Sequence, residues 1–202
     1  SLPLFFLIGL AIKLDSSGPV FFRQERVGFN RRNGDRRRRS DQQLHCKRNS
    51  DRRARDTHGQ PFSVFKFRTM VVDAEKRCGP IWATRNDPRV TKVGRLLRKT
   101  RLDELPQLIN VLRGEMALVG PRPERPYFVE KLAGQIDGYT NRLSVKPGIT
   151  GLAQVENGYD GSVDDVRQKV KYDLAYIKSS NLKHDLVILI KTVGVVLGCR
   201  GI

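Results

Sequence analysis

The amino-acid sequence predicts a single domain of mixed α and β structure, in which helices outnumber short strands. Two runs concentrate or alternate β-formers, five others repeat apolar residues at helical spacing, and no repeat or linker separates them. At 202 residues the chain can bury roughly 70% of the surface its unfolded form exposes, so its core needs no disulfide or structural metal.

The first element is uncharged from residue 2 to 12 (LPLFFLIGLAI), and Lys13 and Asp15 end it. Eleven residues fall short of the roughly 20 that cross a bilayer core of about 30 Å. A buried core helix, a re-entrant or interfacial segment, or a signal-peptide core all fit that length. No basic stretch precedes it and no small-residue cleavage site follows, which argues against a signal peptide. Ser1 leads straight into the run, so it reads as the later part of a longer hydrophobic element with Pro3 as a break inside it.

Gly18-Pro19 punctuates the chain before VFFRQERVG, a short strand. Pro61 introduces PFSVFKFRTM, whose alternation puts Val64, Lys66, Arg68 and Met70 on one face. Helical patches are expected at about 71–78, 92–99 and 103–113. In the second, Val93, Leu96 and Leu97 share a face; in the third, Leu102, Leu105, Leu108, Ile109 and Leu112 form the stripe until Gly114 stops it. Lys146-Pro147-Gly148 reads as a turn. Val163, Val166, Val170, Leu174 and Ile177 line another helix, and Asp185 is placed to cap LVILIKTVGVVL. The N-terminal run, the basic-apolar 92–99 patch and the last helix each suit a packed core. Together they favour a protein lying on one membrane leaflet.

Lys plus Arg number 38 against 21 Asp plus Glu, a formal charge of +17 and a pI near 10.4. The partners are therefore polyanions: nucleic acid, acidic lipid headgroups or diphosphates. From Arg31 to Arg55 there are 11 Lys or Arg and 3 Asp, with only Leu44, Cys46 and Ala54 apolar. Such a run cannot offset its ordering entropy and is expected to be a mobile basic loop. A solvated spacer is its plain reading, and an RNA-binding arginine tract its sharper one. Cys46, Cys78 and Cys199 lie far apart, with no CxxC pair and no metal-finger spacing to His45, His58 or His184, which fits a reduced, cytosol-facing location.

Leu102-Asp103-Glu104-Leu105-Pro106-Gln107-Leu108, followed by Gly120-Pro121-Arg122-Pro123-Glu124, sets two adjacent carboxylates within reach of an arginine restricted by prolines on both sides. An acidic nucleophile, an acidic metal ligand and a planar cation matching phosphate oxygens are the parts for attack at phosphorus. The same residues also suit a plain helix start, with Asp103 as N-cap, Pro106 in the first turn and Glu104 complementing the macrodipole. Both readings use one geometry, because a helix start that favours negative charge can also receive a phosphate; Arg98, Lys99 and Arg101 add positive charge nearby. Lys66 and Arg68 are either exposed strand charges or phosphate ligands. No GxxxxGK[ST] or GxGxxG loop, HExxH, GxSxG or zinc-spaced Cys/His set is present.

Beyond single motifs, their order matters: IKLDSSGPVFFRQERVG, FSVFKFRTMVVDAE, NDPRVTKVGRLLRKTRLDELPQLINVLRGEMALVGPRPE, VKPGITGLAQV and a closing helix ending in CRGI. In this the chain resembles the bacterial sugar transferase family, the monotopic polyprenyl-phosphate phosphoglycosyl transferases that begin exopolysaccharide, O-antigen and glycan assembly. The resemblance covers nearly everything except about 30–58, a basic insertion with no expected family counterpart. It implies an α+β, largely helical single domain with a small sheet, a re-entrant N-terminal membrane helix to which residues 1–14 contribute, and amphipathic helices along the interface.

The resemblance also implies a two-step transfer of a sugar-1-phosphate from a UDP-sugar to polyprenyl (undecaprenyl) phosphate. Asp103 matches the nucleophile, Glu104 the Mg²⁺ ligand, Arg122 the phosphate-binding arginine and Lys66 a phosphate-contacting strand lysine, with Arg68 beside it. The implied partners are UDP-sugar, polyprenyl phosphate and membrane lipid, with a homodimer left open, at the cytoplasmic face of the bacterial inner membrane. Leu2 stands where the family often has serine before the breaking proline, which puts anchoring in doubt and leaves the catalytic motif untouched. The alternative from another class is a basic nucleic-acid-binding protein using the 31–55 tract, whose affinity would fall steeply with salt.

Overall fold

The computed structural model describes residues 2–30, 59–76, 79, 87–156 and 163–198. The basic 31–55 tract, the three cysteines and the closing CRGI lie outside the described residues. In chain order the elements are α1 (Leu2–Asp15), β1 (Phe21–Val27), β2 (Pro61–Phe67), α2 (Lys92–Lys99), a 3₁₀ helix (Leu102–Gln107), α3 (Leu108–Leu112) and β3 (Ala117–Val119). There follow α4 (Pro126–Ala133), a second 3₁₀ helix (Tyr139–Ser144), β4 (Gly148–Thr150), α5 (Leu152–Glu156), α6 (Val163–Ser179) and α7 (Leu182–Leu197). The class is α+β, with two two-stranded sheets among the described residues rather than one small sheet.

β1 and β2 pair antiparallel from Phe21↔Phe67 to Val27↔Pro61. The second sheet is parallel, Ala117↔Gly148 and Val119↔Thr150, and two glycines make it possible. A Cβ on Gly148 would lie 2.2 Å from the Gly120 nitrogen, and one on Gly120 would lie 2.6 Å from the Lys146 carbonyl. Only glycine lets these backbones approach so closely, and the approach fixes where Pro121-Arg122-Pro123 leaves β3. Residues 146–148 therefore lead into a strand rather than forming the turn expected of Lys-Pro-Gly.

Three apolar clusters surround the middle of the molecule. Ile8 and Ile12 of α1 bury with Phe67 and Leu97. Val27, the α4 residues Phe128, Val129 and Leu132, and Val166 and Val170 of α6 form the second, while Val119, Tyr176 and Ile188 form the third. Burying one side chain such as Phe67 contributes roughly 1.5–3 kcal/mol. The stripe read on α6 faces these cores as expected.

Other expectations need correction. Residues 72–76 form turns rather than the start of a helix, with Asp73 at φ 62. The stripe at 102–112 is divided: Leu102 and Leu105 pack against the α1 cluster, whereas Leu108, Ile109 and Leu112 are exposed, Leu112 by 88%. Its cause is the change from 3₁₀ to α geometry at Leu108, which rotates later side chains off the buried face. Asp185 does not cap α7. Asn181 does, its side chain accepting from the His184 nitrogen at 2.9 Å, while Asp185 accepts from the Tyr176 hydroxyl. In α2, Leu97 is buried but Leu96 is exposed.

α1 runs unbroken from Leu2, with Pro3 in its first turn, where a missing N–H is tolerated. Leu4, Phe6, Leu7, Leu10 and Leu14 are exposed on it, as are Leu182, Leu186, Val187, Ile190 and Val193 on α7. Among the described residues, no helix is long and apolar enough to cross a membrane.

Candidate active site

The chain between α2 and α3 is turned by Arg101, which adopts a left-handed conformation at φ 58. The 3₁₀ helix that follows buries Asp103 and Glu104, 8% and 7% exposed, in the wall of a cleft of about 590 Å³. Asp103 therefore sits inside the helix rather than capping it, and Pro106 lies within the helix too. What holds this turn to β2 is Asn110. Its Oδ1 accepts from the Phe65 nitrogen at 3.1 Å and its Nδ2 donates to the Ser63 carbonyl at 2.7 Å, so one side-chain amide replaces a missing strand neighbour. Gly94 allows α2 to press on the segment after β2, since a Cβ there would meet the Thr69 carbonyl at 2.1 Å.

With β2 fixed, Lys66 Nζ reaches Glu104 Oε1 at 2.8 Å, and Arg122 Nη2 reaches the same oxygen at 2.7 Å. Arg101 Nη1 lies 3.9 Å from the other oxygen, Oε2. Burial alone would raise the Glu104 carboxyl, but the charges of Arg122 and Lys66 outweigh it and hold the group well below the usual range. Burial lowers the Lys66 ammonium against the pull of Glu104, whereas the charge of Glu104 raises Arg122. Asp103 is different. Among the described residues no donor or ion-pair partner engages its carboxylate, and burial, with the neighbouring Glu104 charge, pushes it up despite Lys66. Two adjacent carboxylates are thus driven apart in character, one firmly anionic and one unencumbered.

Arg122 is held from behind. Arg142 Nη2 donates to the Arg122 carbonyl at 2.9 Å and pairs with Asp173 at 2.8 Å, with both side chains buried. Arg26 donates to the Pro123 carbonyl at 3.0 Å and lies 3.4 Å from Glu124 Oε2, and burial lowers its guanidinium to about 10. Burial would raise Glu124, but Arg26 leads the cations that hold it down.

Of the residues picked from sequence, Asp103, Glu104, Arg122 and Lys66 meet in one place. Arg68 does not join them. β2 ends at Phe67, and the Arg68 guanidinium turns onto the carbonyls of Ser16, at 2.7 Å, and Ser17, closing the end of α1 while still lining the cleft. Lys99 is exposed and outside the cleft, whereas Arg98 lines it and donates to Thr69 Oγ1 at 2.9 Å. Sequence reasoning missed Arg26, Asn110, Arg142 and Lys169. The last lines the cleft from α6, and its signal was a lysine and an aspartate, Lys169 and Asp173, four apart beside the buried stripe.

Residues 1–35 and 49–199 match the model of the bacterial sugar transferase family. The chain belongs to that family. The match leaves out only 36–48 within this span, so the segment without a family counterpart is shorter than the 30–58 expected. A UDP-N-acetylgalactosamine-undecaprenyl-phosphate N-acetylgalactosaminephosphotransferase of Aeromonas hydrophila is 40% identical over 195 residues, 96% of this chain and 39% of that protein. A UDP-glucose:undecaprenyl-phosphate glucose-1-phosphate transferase of Klebsiella pneumoniae is 42% identical over 95% of this chain and 35% of its own length. One of the same description from Caulobacter vibrioides is 40% identical over 95% of this chain and 61% of its own length. The chain thus spans less than two thirds of each of these relatives, which differ in the sugar they are named for.

Proposed function

We propose that this chain transfers a sugar-1-phosphate from a UDP-sugar to polyprenyl (undecaprenyl) phosphate, the first membrane step of exopolysaccharide, O-antigen or glycan assembly. The observation that carries the reading is the contrast between Asp103, buried and unpaired among the described residues, and Glu104, held anionic by two cations 2.7–2.8 Å away. An Asp103 oxygen attacks the sugar-bearing phosphorus as the bond from that phosphorus to the UMP oxygen breaks. This leaves a phosphosugar ester on Asp103 and free UMP. A phosphate oxygen of the polyprenyl phosphate then attacks the same phosphorus, the bond to Asp103 breaks, and the carboxylate is regenerated. Arg122 and Lys66 supply positive charge where the phosphoryl oxygens gain negative charge.

Mg²⁺ fits this site by the chemistry of its donors. Glu104 Oε1 is taken by Lys66 and Arg122, but among the described residues Oε2 meets only Arg101 at 3.9 Å, and Mg²⁺ commonly uses one or two carboxylates with substrate phosphates and water. Among the described residues no group of three His, Cys, Asp or Glu converges, which suits an ion completed by the diphosphate. When bound it would neutralise the diphosphate and ease the departure of UMP. Lys66, Arg98, Arg101 and Arg122 outnumber the two carboxylates, so the metal should bind weakly until the nucleotide-sugar is present.

The exposed apolar residues of α1 and α7 support a seat on one leaflet, with α1 as the re-entrant element and the location the cytoplasmic face of the inner membrane. The nucleic-acid alternative rests on 31–55, outside the described residues, and no observation favours it.

The test is a screen of UDP-sugars with Mg²⁺ and undecaprenyl phosphate in reconstituted membranes. At least one should release UMP above an Asp103→Ala control. Absence of UMP with every sugar sinks the reading.

A further inference from the structure

The catalytic turn borders a second hollow, and its chemistry is the reverse of the cleft's. A groove of about 190 Å³ shares Arg101, Glu104 and Gln154 with the cleft. Its remaining wall is largely apolar, with Leu105 and Leu108 on one side and Val195 and Val196 of α7 on the other. Its two threonines do not make it polar. Thr150 and Thr192 bond each other through their hydroxyls at 2.8 Å, and Thr192 Oγ1 lies 2.7 Å from the Ile188 carbonyl. Arg101, whose backbone is left-handed, lines both hollows. Leu108 of the groove is half-exposed and leads in the chain to the exposed Ile109 and Leu112. A ligand matching this groove has an anionic head at Arg101, an apolar chain along the valines and a tail continuing over exposed apolar surface.

We propose that the groove seats the first isoprene units of the phosphate acceptor, with Arg101 binding its phosphate. The donor diphosphate would enter through the polar cleft and the lipid through the apolar groove, so both reach Asp103 without competing for one pocket. This assignment rests on the transferase reading given above. The groove is too small for a whole undecaprenyl chain, which leaves the remainder on the outer apolar surface or in lipid.

The experiment is photolabelling of the wild-type chain in detergent with a short polyprenyl phosphate carrying a diazirine on its first isoprene unit. Labelling needs no UDP-sugar, so its result is separate from UMP release. Label is expected within 192–196 or 105–108, reduced about tenfold or more in Val195→Trp, which fills the groove; each buried CH₂ is worth ~0.8 kcal/mol, so excluding two suffices. The same probe lacking phosphate should label these segments about tenfold less, through loss of the charge-assisted contact to Arg101. Label found only on α1 or on the exposed face of α7 overturns the assignment. So does equal labelling by the phosphate-free probe, or undiminished labelling of a folded Val195→Trp chain.

Discussion

The cleft and the groove meet at Arg101 and Glu104 yet differ in how their walls are made neutral. In the cleft, charge is cancelled by charge: Glu104 by Lys66 and Arg122, Glu124 by Arg26. In the groove, polarity is cancelled locally, threonine to threonine and threonine to the carbonyl of its own helix. The first arrangement can exchange partners when an anionic substrate arrives, because phosphate oxygens can take the place of a carboxylate against the same cations. The second keeps both threonine hydroxyls occupied, which suits the apolar chain proposed for it. The proposed role of Asp103 follows from that difference: among the described residues it belongs to the cleft's wall without belonging to its ion pairs.

Breaking that contrast at its centre should have the largest effect. Asp103→Asn removes the nucleophile while keeping its volume, and UMP release should fall by about 10³-fold or more, measured in single turnover. Activity within tenfold of wild type would mean that another group attacks. Arg122→Lys keeps charge but loses the planar fork, and a drop of about 10²-fold in kcat is expected. If only KM moves, Arg122 holds the ground state and not the developing charge.

A smaller change sharpens the comparison through pH. Asp103 must be ionised to attack, and its carboxyl already lies above its ordinary value, so the rate falls as pH drops into that range. Lys66 pulls it down; Lys66→Met should therefore move the acid limb to higher pH, whereas Glu104→Gln, by removing a like charge, should move it lower. A limb unmoved in both variants would detach Asp103 from the profile. The smallest effect is on stability. A carboxyl raised on folding binds its proton more tightly in the folded state, so its burden on stability develops as pH rises through the unfolded and then the folded value and is complete above both. At neutral pH Asp103→Asn should raise Tm by about 2–4 °C for each kcal/mol relieved, read by calorimetry. A lower Tm contradicts the burial argument.

Much of the site was legible because it is local. Asp103 and Glu104 are neighbours, Arg122 is marked by its prolines, and Lys66 falls on the strand face that alternation assigns. Arg68 lines the cleft but stands apart from Glu104, because alternation holds only while the strand lasts, and β2 stops one residue earlier. The stripe at 102–112 misled for a related reason, since a 3₁₀ turn does not keep the 3.6 period. Asn110 and Arg142 were invisible: an amide that stands in for a strand, and a guanidinium that holds a carbonyl 20 residues away, depend on contacts no local pattern encodes. Of the fold, β1, β2 and α6 were readable from β-rich runs and periodicity, while the parallel β3–β4 pair depends on a close approach of Gly120 and Gly148 that only the tertiary structure displays.

The most direct measurement of the central claim is mass spectrometry of the chain after incubation with a competent UDP-sugar and Mg²⁺ without acceptor. The account predicts up to one UMP released per active chain and a matching sugar-phosphate mass on the peptide containing Asp103, which disappears when polyprenyl phosphate is added. UMP that forms only once the acceptor is present, with no adduct on that peptide, would contradict it.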